Sequence, residues 1–297
     1  MLAFDDCFKS EPVEKDGKPV LDSKGKPLIK HTFSPTLSKA SITRKFDLAM
    51  TKGDEKTIWR FDGHIYSDNG RPFFKDAIYN VAKDHIKAKD VNEVFDRLTA
   101  ALLLKHVSLN PNPYLFPALD GVLDLKTGEV RDGAPTDLMT FSYNAHCHLQ
   151  NANYDRFLFY LASSLPDLRD CLTAIDLYTK AVIRIPFDTF AFIIGGGENG
   201  KGIFEKVLIE LLGMGRVSAA KFDEFKRSHF ALGGLIDKDA WIVTEVETAK
   251  DATAVIKAVS SGEMIDSDVK YNTDRARGTQ HLLPILDSNK AIDFQDP

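Results

Sequence analysis

The 297-residue chain has little cysteine: Cys7, Cys147 and Cys171 are widely spaced, with no Cys-x-x-Cys pair. That excludes a disulfide scaffold and signals neither a thiolate zinc site nor a redox pair. Isolated buried thiols in a reducing compartment are expected. Long apolar runs are also missing. The densest are Ala100–Leu104 and Phe190–Ile194, far short of the ~20 residues that span a bilayer. The N-terminus, MLAFDDCFKSEPVEKDGK, is too acidic and too short in apolar run for a signal peptide. The expectation is a cytoplasmic protein with no membrane partner. Nor is positive charge in excess: 38 Lys and Arg face 43 Asp and Glu, a net charge of -5. A uniformly basic nucleic-acid coat is thereby excluded, whereas one local basic groove is not. There is no internal repeat and no low-complexity tract.

What is present is ordinary globular material. Hydrophobic residues make up 43% of the chain, enough to fill cores without staples in two domains, or in one with an appendage. Residues 1–45 read as an extension or linker. Two short alternating runs flank Asp22-Ser23-Lys24-Gly25, a hairpin signal, and the Ser/Thr/Lys-rich HTFSPTLSKASITRKF follows. Residues 46–165 read as a mainly helical α+β domain. A strand is expected at Thr57–Ile65 and a helix at Phe73–Ile86. A second helix is expected with Asp90 as its N-cap, burying Val94, Phe95, Leu98, Ala101 and Leu102. A strand–turn–strand covers Tyr114–Val130, and helix is expected over Phe157–Leu172 with a break near Pro166. Residues 166–297 change character. Apolar β-rich runs alternate with amphipathic helices, as in an α/β domain with a parallel sheet.

The strongest chemical signal is FAFIIGGGENGKG, residues 190–202. Phe190–Ile194 reads as a buried strand. Gly195, Gly196, Gly197, Glu198, Asn199, Gly200, Lys201 and Gly202 follow it. A helix with Ile203, Phe204, Val207, Leu208, Leu211 and Leu212 comes next, and Gly213 stands at its C-terminal cap position. Gly195, Gly200 and Lys201 fit Gly-x-x-x-x-Gly-Lys in the strand–loop–helix setting that gives the motif its meaning. Glycines let backbone N–H groups turn inward as an anion nest. The helix start adds its dipole, and Lys201 brings a cation to the β and γ phosphates of ATP. One position departs: Gly202 stands where Ser or Thr would hold Mg²⁺, and it has no side-chain oxygen.

About 40 residues on, Ala240–Val243 forms an apolar run that leads into Thr244-Glu245-Val246-Glu247. Strand alternation would give both carboxylates one face. Glu245 is read as holding Mg²⁺ through water, and Glu247 as polarising the attacking water. Further on, Leu282–Leu286 reads as a third parallel strand that delivers Asn289 to the γ-phosphate. Pro284 within it calls for a break or bulge. Between these lie Lys257, Lys270, Tyr271, Arg275 and Arg277. Cations around one aromatic on a hairpin suit single-stranded nucleic acid. The sequence Ala145-His146-Cys147-His148 looks like a metal-ligand set. On a strand, however, Cys147 would face away from both histidines, which argues against a zinc site.

Together these residues resemble the primase–helicase proteins of phages, plasmids and large DNA viruses, whose C-terminal half is a superfamily 3 helicase domain. The resemblance rests on five segments in order. These are LDGVLDLKTGEV (Leu119–Val130), GGGENGKG (Gly195–Gly202), IVTEVE (Ile242–Glu247), IKAVSSGEMIDSDVKY (Ile256–Tyr271) and Leu286-Asp287-Ser288-Asn289. It implies a P-loop, AAA+-like ATPase core, ATP and Mg²⁺ as cofactors, and an ATP-dependent helicase acting in DNA replication. By position, Lys201 would bind phosphates, Glu245 and Glu247 would handle metal and water, and Asn289 would sense the γ-phosphate. The cations from Lys257 to Arg277 would contact single-stranded DNA. The resemblance further implies a homo-hexamer with ATP between subunits, a replication partner and, for a virus, the host cytoplasm. The family's arginine finger follows the sensor strand by a couple of dozen residues, and this chain reaches Pro297 first. A truncated motor, weak by itself, is therefore expected. A nucleotide-binding assembly or loader module with little turnover is the competing reading.

Overall fold

The computed structural model describes all residues except 53, 149–152, 166, 228–231, 248–252, 269–274, 280 and 293–297. The chain divides into two compact units, residues 1–111 with 132–141, and residues 112–131 with 142–297.

The first unit carries three main helices, Pro35–Lys45, Gly70–Ala82 and Ala88–Leu103. They lie with a three-stranded antiparallel sheet made of Leu48–Thr51, Asp54–Phe61 and Tyr66–Ser67. Helical spacing builds the core. Val91, Val94, Phe95, Leu98 and Leu102 are the buried stripe of the third helix. They join Met50, Ile58, Phe74 and Ile78 in one cluster. The third helix begins three residues earlier than expected. Asp90 is its third residue, not its cap, and accepts the Lys87 N–H at 2.9 Å.

Residues 1–45 are part of this core. Cys7 and Ile42 are wholly buried, and Phe8 nearly so. The Ser/Thr/Lys-rich segment is a helix, capped by Ser34, which accepts the Leu37 N–H at 3.3 Å, with Pro35 in the first turn. Buried Asp6 accepts the Ala3 N–H at 2.7 Å and is paired with Lys45. Linker composition misled here because a few scattered apolar side chains suffice once a helix brings them to one side. The expected turn does form: Asp22 Oδ1 accepts the N–H groups of Lys24 and Lys26, and Leu21 bridges Pro27.

The second unit opens with an antiparallel sheet of Leu115–Ala118, Gly121–Asp124 and Val130–Arg131. Helices Asp155–Ser164 and Leu168–Val182 follow, the latter capped by Asp167. A four-stranded, wholly parallel sheet comes next, a mixed α/β arrangement. Its spatial order is Ala191–Ile194, Leu283–Ser288, Ala240–Val243 and Val217–Ser218.

Leu283–Ser288 is therefore central, and all six of its residues are buried. Pro284 sits in it opposite Trp241 with the register unbroken, so no bulge is needed. The reason is directional. The Leu283 N–H points toward the 240–243 strand and donates to Asp239 O at 2.9 Å. Alternation turns position 284 the other way, where pairing begins only at Ile285, so the missing donor breaks no ladder bond. Ala191–Ile194, expected to be buried, is an edge strand of the described sheet, and Ile194 is exposed. Beneath the sheet, Arg216 grips Asp239 with two bonds of 2.6 and 2.7 Å. Trp241 packs edge-on against Phe222 and Phe225. Among the described residues, no helix is long and apolar enough to cross a membrane.

Candidate nucleotide site

In a parallel sheet, ligands gather beyond the carboxyl ends of the strands. Here three chain segments meet at that edge. The first is the glycine loop between Ile194 and the helix Lys201–Leu212. Its backbone turns left-handed at Glu198 (φ 60°) and Gly200 (φ 90°). A side chain at Gly200 would begin 2.5 Å from Ser164 Oγ, and Tyr160 donates its hydroxyl proton to Gly200 O at 3.0 Å. Only glycine fits that place. The loop is tied to the central strand by the Gly195 N–H, which donates to Ser288 O at 3.1 Å.

The second segment is the end of the central strand. Asn289 Oδ1 accepts from Lys201 Nζ at 3.1 Å. The same ammonium reaches Gly196 O at 3.3 Å and Asn199 Oδ1 at 3.4 Å, and also bonds Gly195 O. Lys201 and Asn289 therefore meet at the carboxyl edge of the sheet.

The third segment is Thr244-Glu245-Val246-Glu247. The strand stops at Val243, so strand alternation does not govern the two glutamates. Glu245 is left-handed (φ 55°), and both carboxylates are exposed around buried Val246. The bend has an identifiable cause in Asp287. Its Oδ1 accepts the Glu245 N–H and its main-chain oxygen accepts the Val246 N–H at 2.8 Å. Ser288 Oγ donates back to Val246 O at 2.8 Å. The central strand thus holds the acidic loop by three bonds.

Asp287, named from sequence only within a motif, and Glu205 have no role in the sequence reading. Both are buried. Burial pushes the Glu205 carboxyl up to about 7; neighbouring Asp287 adds to this and Lys201 opposes it. The available signal was a charge inside an apolar stretch: Asp287 closes a buried run, and Glu205 lies between Phe204 and Leu208 on a largely apolar helix.

These groups fit a nucleoside triphosphate. Lys201 supplies a cation at a helix start. No atom lies within 4 Å of where a side chain would begin at Gly196, Gly197 or Gly202, so the cradle is open. A cavity of about 440 Å³ adjoins the loop, lined by Tyr160, Leu165, Asp170, Lys180, Phe192 and Phe204 among others. For Mg²⁺ the chain offers the exposed carboxylates of Glu245 and Glu247 but no hydroxyl at Gly202.

Of the residues read as DNA contacts, Lys257 is exposed on the helix Thr253–Ser260. Met264–Asp268 and Arg275–Thr279 form an antiparallel hairpin, with Arg275 opposite Asp268 and Arg277 opposite Asp266. Lys270 and Tyr271 lie outside the described residues. At Ala145–His148 there is no strand, and Cys147 and His148 come together on Asp120. The alternation argument against convergence fails at that point.

Comparisons with known proteins agree with the coarse outline. Residues 26–169 match the family described as D5 N terminal like, the N-terminal domain of D5-like primase–helicase proteins. The apo structure of the NrS-1 C terminal region is similar at TM-score 0.50 and 11% identity over 85% of this chain and 56% of that one. Its A form apo structure gives TM-score 0.40 and 17% identity over 48% of this chain and 35% of that one. The chain thus spans about a third to just over half of these structures, and at such identity the first likeness is one of fold. No curated protein matches the chain in sequence.

Proposed function

We propose that the chain is the motor segment of an ATP-dependent DNA helicase of the primase–helicase type, turning ATP hydrolysis into movement along single-stranded DNA. One observation carries the reading. Lys201 and Asn289, 88 positions apart, meet at 3.1 Å at the mouth of a glycine loop. The acidic loop is fastened to the same central strand. The D5 N terminal like match over residues 26–169 supports the primase–helicase setting.

Bound ATP supplies the phosphoanhydride, and Mg²⁺ supplies charge neutralisation on its oxygens. Lys201 exchanges the loop carbonyls for phosphate oxygens. Asn289 accepts from Lys201 through Oδ1, and its amide N–H groups remain to orient the γ-phosphate or the attacking water. Glu247 would take the proton of that water, and Glu245 would hold Mg²⁺ through water. Asp287 and Ser288 position both glutamates through the backbone bonds described above. The cavity beside the loop takes the nucleoside. Lys257, Arg275 and Arg277, with Lys270 and Tyr271, make the DNA path, and a homo-hexameric ring is the working assembly.

The test is ATP hydrolysis with and without single-stranded DNA, beside Lys201→Ala. DNA-accelerated turnover that the variant lacks is the expected result. ATP binding with no turnover under any condition would sink the motor. It would favour the second reading, a nucleotide-gated assembly or loader module, for which Gly202 is the specific argument.

A further inference from the structure

Apart from the nucleotide site, one other cluster of chemistry-bearing side chains stands out in the second unit. Asp120 sits in the tight turn between Leu115–Ala118 and Gly121–Asp124. Cys147 and His148 come from the irregular segment after Tyr143. One ligand atom from each of Asp120, Cys147 and His148 lies within 4.8 Å of the other two. Cys147 is buried, Asp120 is half-buried and His148 is exposed.

We propose that Asp120, Cys147 and His148 bind a zinc ion, with His146 as the fourth ligand. Cys147 Sγ lies 3.3 Å from Asp120 Oδ1. Zn–S and Zn–O bonds of about 2.3 and 2.1 Å at a tetrahedral angle put those two atoms about 3.6 Å apart. The pair is therefore already close to its metal-bound spacing. His146 Nδ1 stands 3.3 Å from the other oxygen of the same carboxylate, Asp120 Oδ2, which makes it the nearest further imidazole to the three. One thiolate, one carboxylate and imidazoles form a mixed S, O, N set that suits Zn²⁺ and not Mg²⁺ or Ca²⁺.

Two features prepare the place. A side chain at Gly121 would begin 3.1 Å from Cys147 Sγ and 3.5 Å from His148 Nε2. Glycine keeps that floor clear. The Asp120 carboxylate is also oriented from behind. It accepts the Cys147 N–H at 2.8 Å and the His148 N–H at 3.4 Å, the outer support that ligating carboxylates need. On binding, the thiol proton that Cys147 now donates to Asp120 is released to solvent and the metal takes its place. The ion would then staple the hairpin turn to a segment 27 positions away, independently of any nucleotide.

The test uses the full chain, stripped with chelator and titrated with Co²⁺ as a spectroscopic stand-in for zinc. One equivalent should bind, with intense tetrahedral visible bands and a thiolate-to-cobalt charge-transfer band in the near ultraviolet. Cys147→Ser should abolish the charge-transfer band. His148→Ala, at an exposed position, should weaken binding by more than the ~10–100-fold typical of outer-shell changes. If Cys147→Ser fails to fold, His148→Ala and Asp120→Asn decide. Cobalt bound without a thiolate band would overturn the proposal. So would a band that survives in Cys147→Ser, or unaltered affinity in His148→Ala.

Discussion

The two units bury different things. In the first, Ile58, Phe74, Ile78, Val94 and Leu98 are fully enclosed. Its buried acids are few and each closes its own turn, Asp6 accepting the Ala3 N–H and Asp137 the Ala134 N–H; Asp6 is also paired with Lys45, on the helix packed beside it. In the second, Arg184, Glu205, Asp239 and Asp287 are all less than a tenth exposed. Their contacts are long-range, as when Asp287 holds a backbone group 42 positions away. An apolar core is satisfied by shape. A buried charge must be met by a specific partner, and strained geometry such as left-handed Glu245 persists only where neighbours fix it. The lesson is that chemistry should be sought in the unit that tolerates buried charge.

The comparison is broken most sharply by equal truncations in each unit. Lys201→Ala should cut ATP hydrolysis by about 10²–10³-fold or more, as loss of a charge-stabilising donor does, with little change in melting temperature. Phe74→Ala should do the reverse. It should lower stability by about 3–5 kcal/mol and leave turnover per folded molecule unchanged. Chemical denaturation alongside steady-state kinetics separates the two. A stability effect of similar size is expected when Arg216→Met strands Asp239, which is only 1% exposed. Breaking one side of a buried pair costs about 3–5 kcal/mol. Arg216→Met with Asp239→Leu should recover most of that loss. If the double variant is no better than the single, the pair is held by more than its own charges.

Legibility in the sequence follows the same divide. The glycine loop, its helix and the Gly213 cap were legible because each is a local pattern: strand, turn, helix, stop. Asn289 was legible as the end of an apolar run. What failed was non-local. The fold of residues 1–45 hangs on Cys7, Phe8 and Ile42 reaching a core built elsewhere. The strand end at Val243 was hidden because Asp287 bends the chain there. Asp120 was not connected to Cys147, 27 positions on, because the residues between carry no period that joins them.

Glu205 offers a finer test through pH. Its carboxyl titrates near 7 in the fold, against 4.5 when unperturbed. Between those values the folded state holds a proton that the unfolded chain has lost. Its contribution is therefore full below pH 4.5, declines as pH rises, and is gone above about 7. Glu205→Gln should remove that slope from denaturation midpoints measured over this range. An unchanged slope would mean that the proton resides elsewhere in the second unit.

The smallest expected effect bears on the one residue that departs from the loop's usual chemistry. Nothing lies within 4 Å of where a side chain would begin at Gly202, and its backbone is helical. Gly202→Ser therefore adds a hydroxyl with no steric penalty. Gly→Ser in a helix should be neutral or slightly stabilising, by a few tenths of a kcal/mol. If the wild-type loop lacks a metal-holding oxygen, the new one should lower the Mg²⁺ concentration for half-maximal hydrolysis by roughly 2–10-fold, about 0.4–1.4 kcal/mol at 1.4 kcal/mol per factor of ten. Turnover at saturating Mg²⁺ should change less. A Mg²⁺ titration of both proteins measures it. An unchanged midpoint would mean that Glu245 already holds the ion without help from the helix, and that Gly202 is an accommodation of the loop, not a loss.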